Sequence, residues 1–179
     1  MPQALLAYNP VKNCVYAPIN LRNRLAVIDG DNLQILNTII TGLYCNCDVG
    51  GVIFNPRVNK IYARNFLAGD TACFSCLSLV SVIDASTGKK IKHILTGVSP
   101  TYGDRAMCLH PSGDKLYIAN NESNTITVID CHLDTVIKTL YLPESPEYLT
   151  INTTGHKLYC THGWNPILTI IDAKGEWAN

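Results

Sequence analysis

The sequence predicts an all-β protein built from four tandem repeats, and two regularities carry that prediction. A tyrosine recurs seven residues after an Asn or His landmark in every copy. These tyrosines are Tyr16, Tyr62, Tyr117 and Tyr159, after Asn9, Asn55, His110 and Asn152. In three copies an Ile-Asp pair ends thirteen residues after the tyrosine, at Asp29, Asp130 and Asp172. Agreement at fixed spacings is the signature of a repeat architecture.

The second copy differs from the others by one insertion. Tyr62 and Asp84 are twenty-two residues apart, so nine extra residues lie between them. Elsewhere short runs rich in Val, Ile, Tyr and Thr alternate with Asn, Asp, Gly and Pro turns, which is typical of β-strands. No long window shows a 3.6-residue apolar period, so we predict essentially no helix.

Each copy predicts up to four strands. The predicted strands are 4–8, 14–17, 25–28 and 33–40, then 51–54, 60–63, 79–83 and 90–95, then 106–109, 115–119, 125–129 and 135–140, and finally 148–151, 157–161 and 167–171. Four short strands per repeat of this length are typical of a propeller blade. We therefore predict one β-propeller domain over residues 1–179, with three and a half to four blades of four-stranded antiparallel sheet at approximately 4–42, 51–97, 106–142 and 147–179.

The recurring residues have predicted structural roles. An Asp directly after the third strand can accept backbone N–H bonds from the next two residues and set the hairpin turn. The repeat tyrosine is expected to pack between blades with its hydroxyl bonded. Four cysteines in or beside strands are expected to be small buried apolar residues. They are Cys14, Cys108, Cys131 and Cys160.

The third copy is the most regular. Tyr117-Ile-Ala-Asn120, followed by Thr-Val-Ile-Asp130 and Thr-Val-Ile-Lys138, resembles the YVTN-type β-propeller repeat family, and the resemblance covers nearly the whole chain. Copy two keeps Tyr62-Ala-Arg-Asn65. Ile19 and His162 stand where the motif has Asn, so those turns are expected to differ.

This resemblance implies a propeller, commonly seven-bladed, and often one found outside the cytoplasm or on the cell surface. Proteins of similar repeat include subunits of quinohaem amine dehydrogenases, haem-containing nitrite reductases and lactonases. Their catalytic signatures have no counterpart here, so no active site is carried over, and fold alone does not decide function.

The number of blades leaves an open question of ring closure. A propeller typically holds four to eight blades. Three complete blades and three strands of a fourth would leave apolar blade faces in water, and neither end of the array carries polar capping residues. The chain could be a fragment of a longer propeller lacking further blades, a homo-oligomer that closes a ring with a second copy, or a four-bladed ring.

Bulk composition excludes some classes of partner. Fourteen basic and fourteen acidic residues give no net charge, so no nucleic-acid partner is expected. No apolar run is long enough for a membrane span. The start, Met1-Pro-Gln-Ala-Leu-Leu, lacks the features of a signal peptide, which predicts a cytoplasmic protein or an internal piece of a longer chain. The family resemblance favours an extracytoplasmic location, so the compartment stays open.

The additions to the repeat predict a binding face. The insertion falls within residues 65–78, and the longer blade-to-blade connections fall at 43–50 and 98–105. Alternating strand direction places all three at one face of the disc, and insertions gathered on one face commonly mark a binding face. The alternative is that loops simply tolerate variation.

Candidate residues on this face are Arg64, Asp70, Asp104, Arg105, Glu122, His162 and Trp164. His162 beside Trp164 could hold a ligand or could be a solvated loop histidine.

Two of these segments carry paired cysteines, at Cys45 and Cys47 and at Cys73 and Cys76. Four thiols from two loops could form a tetrahedral zinc site, which is the one cofactor considered. They could equally pair as disulfides in an oxidising compartment, or stay free. No Cys-x-x-Cys-His is present, so covalent haem is not expected.

The leading functional hypothesis is a non-catalytic module that binds a protein or polymer through the loop face. The sequence shows no Ser/His/Asp spacing, phosphate-binding glycine loop or paired carboxylates, so catalysis is not indicated. Two alternatives stay open. One is an accessory or catalytic propeller subunit of a metal- or redox-cofactor enzyme, and the other is a segment of a multi-blade surface protein.

Overall fold

The computed structural model describes residues 6–19, 23–42, 47–67, 77–98, 107–163 and 165–174. These residues form fifteen strands in four antiparallel sheets, and no helix occurs among them. The predicted all-β fold is therefore confirmed. Within the same ranges, no helix with the length and apolarity needed to cross a membrane is found.

The strands follow one another within each sheet in chain order. Sheet one contains β1 (Ala7–Asn9), β2 (Cys14–Ile19), β3 (Arg24–Asp29) and β4 (Ile35–Ile40). Sheet two contains β5 (Cys47–Asn55), β6 (Lys60–Leu67), β7 (Leu77–Asp84) and β8 (Lys90–Val98). Sheet three contains β9 (Met107–Leu109), β10 (Lys115–Asn120), β11 (Thr125–Asp130) and β12 (Thr135–Tyr141). The described part of sheet four contains β13 (Tyr148–Ile151), β14 (Lys157–His162) and β15 (Asn165–Asp172).

The Asp at the end of each third strand sets the turn that follows it. Asp29 Oδ1 accepts the backbone N–H groups of Asp31 and Asn32 at 2.8 and 3.0 Å. These bonds hold the pKa of Asp29 below its usual value. Asp130 Oδ1 accepts the corresponding N–H groups two and three residues on, at 2.8 and 2.9 Å. The turn-forming role predicted for this landmark is confirmed.

The sheets stack in chain order with a fixed polarity. Tyr16 belongs to the apolar cluster between sheets one and two, and Tyr62 to the cluster between sheets two and three. Tyr117 belongs to the cluster between sheets three and four. We call the face that carries the repeat tyrosine the forward face of a sheet, and the opposite face the rear face. Each forward face therefore packs on the rear face of the next sheet.

The residue just before the tyrosine fills the rear face. Ile61, Leu116 and Leu158 occupy this position, and all three are 0% exposed. In sheet three, β10 and β11 are buried along almost their whole length because both faces are covered. This explains why these strands are apolar at successive positions instead of alternating.

Polar contacts also join successive sheets at the end where the Asp turns lie, which we call the turn end. Lys60 Nζ reaches from sheet two to the Asp134 carboxylate at 2.7 Å and the Cys131 carbonyl at 3.0 Å. The Tyr62 hydroxyl lies 3.2 Å from acceptors on the same two residues and shares its single hydrogen between them. Lys12 makes the equivalent contact from sheet one, to the Ala85 carbonyl at 2.8 Å.

The stack is open across its described strands. None of the three apolar clusters joins sheet four to sheet one. Tyr159 is consequently only half-buried, whereas Tyr16, Tyr62 and Tyr117 are at most 2% exposed. The prediction that the tyrosine packs between sheets is confirmed for the first three copies. It is wrong for Tyr159 within the described chain, because no described sheet covers that forward face.

Candidate functional site

The segments that carry the additions all join sheet two at the same end of its strands. Cys47, the first residue of β5, pairs with Leu67, the last residue of β6. Leu77, the first residue of β7, pairs with Val98, the last residue of β8. The connections to these strand ends are residues 43–46, 68–76 and 99–106. They therefore lie at the end of the strands opposite the turn end. We call this end of the strands, in all four sheets, the loop end.

Sheets three and four have the same arrangement. Thr125 pairs with Asn120 on one side and with Tyr141 on the other, so the turn 121–124 and the connection after β12 share the loop end. Ser145 Oγ donates to the Asn121 carbonyl at 2.8 Å, which fastens the connection onto the turn. The loop end is thus a continuous surface across these two sheets.

Three of the predicted site residues are described. Glu122 is exposed in the turn 121–124. Arg64 and His162 lie at the loop end, but their side chains are 0% and 2% exposed. Their burial corrects the expectation that both are accessible to a ligand.

The remaining predicted site residues lie outside the described residues or have undescribed side chains. Asp70, Asp104, Arg105, Trp164, Cys45, Cys73 and Cys76 are not described, and Cys47 is described only as backbone. Their roles stay predictions. Across the ranges that are described, no group of three or more His, Cys, Asp or Glu side chains is arranged to hold a metal ion.

Arg64 is a structural cation beneath the loop end. Its Nε donates to Ser78 Oγ at 3.2 Å, and its Nη2 donates to Asn120 Oδ1 of sheet three at 3.3 Å. A buried guanidinium needs such partners, because an uncompensated buried charge is strongly unfavourable. Arg64 therefore links sheet two to sheet three.

His162 is a structural side chain too. Its Nε2 lies 2.7 Å from Thr169 Oγ1 on β15, and its Nδ1 lies 3.2 Å from the Ser145 carbonyl. The interpretation of His162 as a solvated loop histidine is wrong. The imidazole replaces the Asn of copies two and three and bonds in the same direction, across to the third strand of its own sheet.

A polar pair recurs here that sequence reasoning missed. Asn65 Nδ2 donates to Ser81 Oγ at 2.8 Å, and Asn120 Nδ2 donates to Thr127 Oγ1 at 2.8 Å. His162 and Thr169 form the third instance. The hydroxyl always lies three residues before the landmark Asp, a signal visible in the sequence. Copy one has lost both members together, with Ile19 and Ala26 in their places.

In sheet two this pair extends to His93. Ser81 Oγ donates its one hydrogen to the Thr41 carbonyl and accepts from Asn65. It can therefore only accept from His93 Nδ1, 3.0 Å away, which places the imidazole hydrogen on Nδ1. His93 Nε2 is buried and has no hydrogen-bond partner among the described residues. Burial, with a smaller contribution from the Lys90 charge, lowers the pKa of His93.

We expect the His93 environment to make the protein less stable in mild acid. Because the folded state depresses the pKa, the unfolded state binds the proton more tightly, and stability falls as the pH drops below about 6.5. Urea unfolding of wild type and His93→Gln at pH 7.5 and pH 5.5 measures this effect. The free energy of unfolding of wild type should fall more than that of the variant. An equal fall in both proteins would contradict it.

The four strand cysteines behave as the sequence predicts. Cys14, Cys131 and Cys160 are buried, Cys108 is half-buried, and all four are free thiols. Burial raises the pKa of Cys108, Cys131 and Cys160 to about 11. Since the thiolate is the reactive form, these thiols are chemically quiet at neutral pH.

This quietness gives a labelling prediction. In native protein at pH 7, all four strand cysteines (Cys14, Cys108, Cys131 and Cys160) should resist iodoacetamide for hours. In about 6 M urea, which unfolds the protein, all four should react within minutes. Peptide mass spectrometry after labelling identifies each site. Rapid native labelling of Cys131 or Cys160, both 0% exposed, would contradict the described packing.

A cleft lies away from the loop end. Its volume is about 340 Å³, and it opens between sheets one and two near the turn end. Lys12 borders it, but Lys12 Nζ is already bonded to the Ala85 and Ser86 carbonyls at 2.8 and 2.7 Å. The cleft therefore offers no uncommitted lysine to a ligand.

The described surface of the loop end is acidic where sheets three and four meet, whereas the loop end of sheet one carries the exposed Arg24. Glu122 lies in the turn 121–124, and Glu144 and Glu147 lie in the connection to sheet four. Asn165 Nδ2 donates to Glu144 at 3.0 Å, which positions that carboxylate. The described residues of 121–124 and 142–147 include no Lys or Arg.

Comparison with known proteins supports this architecture. The chain matches no family model. It is 23% identical to the uncharacterised protein YncE of Salmonella typhimurium and to YncE of Salmonella typhi, over 97% of this chain and 45% of each relative. Among solved structures it is similar to Kuenenia stuttgartiensis hydrazine synthase, with a TM-score of 0.70, 20% identity and coverage of 95% of this chain and 51% of that chain. It is also similar to a chain of a mitotic checkpoint complex, with a TM-score of 0.69, 15% identity and coverage of 97% and 49%.

These likenesses agree with the stacked four-stranded sheets. The fold is a β-propeller. At these identities the similarity to solved structures shows the fold alone, and membership of the YVTN-type family stays a prediction. The chain spans about half the length of the curated relatives and solved chains that it matches.

Proposed function

We propose that this β-propeller is a non-catalytic binding module that presents its loop end to a protein partner. One observation carries the proposal: in sheet two, the insertion and both lengthened connections start from strand ends that lie at the loop end. Loops on a rigid scaffold are where binding residues concentrate. Two similar solved structures come from hydrazine synthase and from a mitotic checkpoint complex, and the second of these is a complex by name.

The acidic character of the loop end between sheets three and four indicates the chemistry of the partner. Glu122 is exposed, and Glu144 and Glu147 lie in the connection fastened to its turn by Ser145. A partner surface with lysine or arginine side chains would complement these carboxylates and associate faster at low salt. We therefore propose a partner with a basic surface.

Affinity capture from a source-cell lysate tests this proposal when matched variants are included. The first variant replaces residues 68–76 by Asn-Gly, a tight hairpin turn that removes the insertion and keeps the described strands. The second is Glu122→Lys. The control is Asp31→Lys, the same charge change on an exposed residue at the turn end. A partner retained by wild type and the control but lost or weakened at least about fivefold with the loop-end variants supports the proposal. Equal retention by all four proteins contradicts it.

A second candidate is an accessory subunit of a metal or redox enzyme. The pairing of Cys47 with Leu67 favours it, because the segments with Cys45 and with Cys73 and Cys76 then start from one edge. Four thiols there could bind zinc at sulfur-to-metal distances of about 2.3 Å. Elemental analysis of dialysed protein distinguishes the candidates. Stoichiometric zinc that is lost in a Cys73→Ser, Cys76→Ser variant would favour this second function, and its absence would favour the binding module.

A further inference from the structure

The forward face of sheet four is exposed where the equivalent faces are buried. Leu168 pairs with the residue two positions after the repeat tyrosine and is 55% exposed. Its equivalents in sheets one to three, Leu25, Val80 and Ile126, are each 0% exposed.

The neighbouring position shows the same contrast. Ile170 pairs with Tyr159 and is 56% exposed, whereas Val82 and Val128, which pair with the tyrosines of sheets two and three, are 0% and 1% exposed. Tyr148, on β13 of the same face, is 60% exposed. The face therefore has the residues of an internal blade interface without a described partner.

The rear face of sheet one is its counterpart. Val15 precedes the repeat tyrosine and is only partly buried, whereas its equivalents Ile61, Leu116 and Leu158 are fully buried. Tyr8 pairs with Val15 and is 55% exposed, against 8% for the equivalent Phe54 of sheet two. In sheets two to four, this position receives the forward face of the preceding sheet.

Among the described residues, the turn end of sheet four also lacks the cross-sheet bond that sheets two and three make, while Asn9 of sheet one donates to Tyr16 of its own sheet. Asn55 and His110 reach from their own sheets to the turn carbonyls of Gly113 and Gly155 in the next sheet, at 2.7 and 3.0 Å. The equivalent Asn152 accepts from His156 and Lys157 through Oδ1, and its Nδ2 donates to no described residue. Lys157, which occupies the position of the crossing Lys60, pairs with Asp172 of its own sheet at 2.8 Å.

We propose that the forward face of sheet four binds the rear face of sheet one of a second copy, and that two copies close a ring head to tail. Each chain carries one face of each kind, so a two-fold ring covers both in both copies. The chain spans 45–51% of the matched proteins, so two copies supply about the length of one of them. All loop ends then lie on one side of the ring, which presents the proposed binding surface twice.

Light scattering on the 179-residue chain at about 50 μM tests the proposal. The expected molar mass is twice the 19.7 kDa of one chain. A monomer, or an assembly larger than a dimer, would overturn the two-copy ring. The monomer is also the result expected if some other sheet covers the face.

Two face variants identify the mode of association. Leu168→Asp with Ile170→Asp alters the forward face of sheet four, and Tyr8→Asp with Val15→Asp alters the rear face of sheet one. Leu133→Asp is the control, since Leu133 is 69% exposed in the turn of sheet three and belongs to neither face. Each face variant alone should be monomeric, and the control should remain a dimer.

Mixing the two face variants should restore a dimer, because the intact forward face of one meets the intact rear face of the other. This restoration also shows that both variants are folded, and circular dichroism of each checks the same point. If one face variant alone stays dimeric, the association is face to like face and the head-to-tail ring is wrong. These outcomes are independent of the lysate capture, which concerns the loop end.

Discussion

Replacing Tyr117 by alanine is expected to lower the free energy of unfolding by roughly 3–5 kcal/mol. Tyr117 is 0% exposed and lies in the cluster between sheets three and four, against Leu158 and Cys160. Burial also raises the pKa of its phenol to about 12. Truncation would leave a cavity that two rigid sheets cannot close, so the loss includes a cavity contribution as well as the transfer free energy.

Tyr141→Ala is the matched control for this variant. Tyr141 is on the outer strand of the same sheet and is 83% exposed, so its truncation should change the free energy of unfolding by no more than about 0.5 kcal/mol. Urea unfolding of both variants, followed by circular dichroism, measures the difference. Similar losses in the two variants would show that the forward face of sheet three is not an interface.

Asn120→Ala is expected to lower the free energy of unfolding by about 2–4 kcal/mol. The Asn120 amide donates to Thr125 Oγ1 and Thr127 Oγ1 at 3.1 and 2.8 Å, and its Oδ1 accepts from Arg64 at 3.3 Å. Alanine would remove one acceptor from a fully buried guanidinium and leave two buried hydroxyls short of a donor. Both effects act in a site that water does not reach.

The adjacent Asn121 offers the control for Asn120. Its Oδ1 is buried and has no hydrogen-bond partner in the described part of the chain, so Asn121→Ala removes no described bond at that atom and should be nearly neutral, within about 0.5 kcal/mol. Unfolding curves of the two alanine variants compare the same chemical deletion one residue apart. If Asn120→Ala lowers the free energy of unfolding by less than Asn121→Ala does, the bond from Arg64 to Asn120 does not link sheets two and three as described.

The fold was predictable because the repeat fixes spacing, and spacing in strands fixes the face on which a side chain lies. The seven-residue interval from Asn55 to Tyr62 contains one hairpin turn, and the later Asp84 marks the next turn at the turn end regardless of the insertion before it. Local chemistry was enough for the turns, since an Asp side chain bonds its own neighbours.

The accessibility of the candidate site residues was not predictable in the same way. Arg64 and His162 directly follow the strands 60–63 and 157–161 that the sequence predicts, in positions where a polar side chain is usually solvated. Their burial depends on atoms from elsewhere: Asn120 of the next sheet for Arg64, and the Ser145 carbonyl of the preceding connection for His162. Such partners are set by blade stacking, which periodicity within one strand does not report.

A double-mutant cycle between Lys60 and Asp134 tests whether the sheets stack with a fixed polarity, the forward face of one on the rear face of the next. These residues are 74 positions apart, in sheets two and three, with Nζ 2.7 Å from the carboxylate. Lys60→Met and Asp134→Asn are the single changes, since Asn tolerates the positive φ of 53° at position 134. We expect a coupling of about 1–3 kcal/mol between them in urea unfolding. Additive effects, with a coupling near zero, would contradict the forward-onto-rear packing of the sheets.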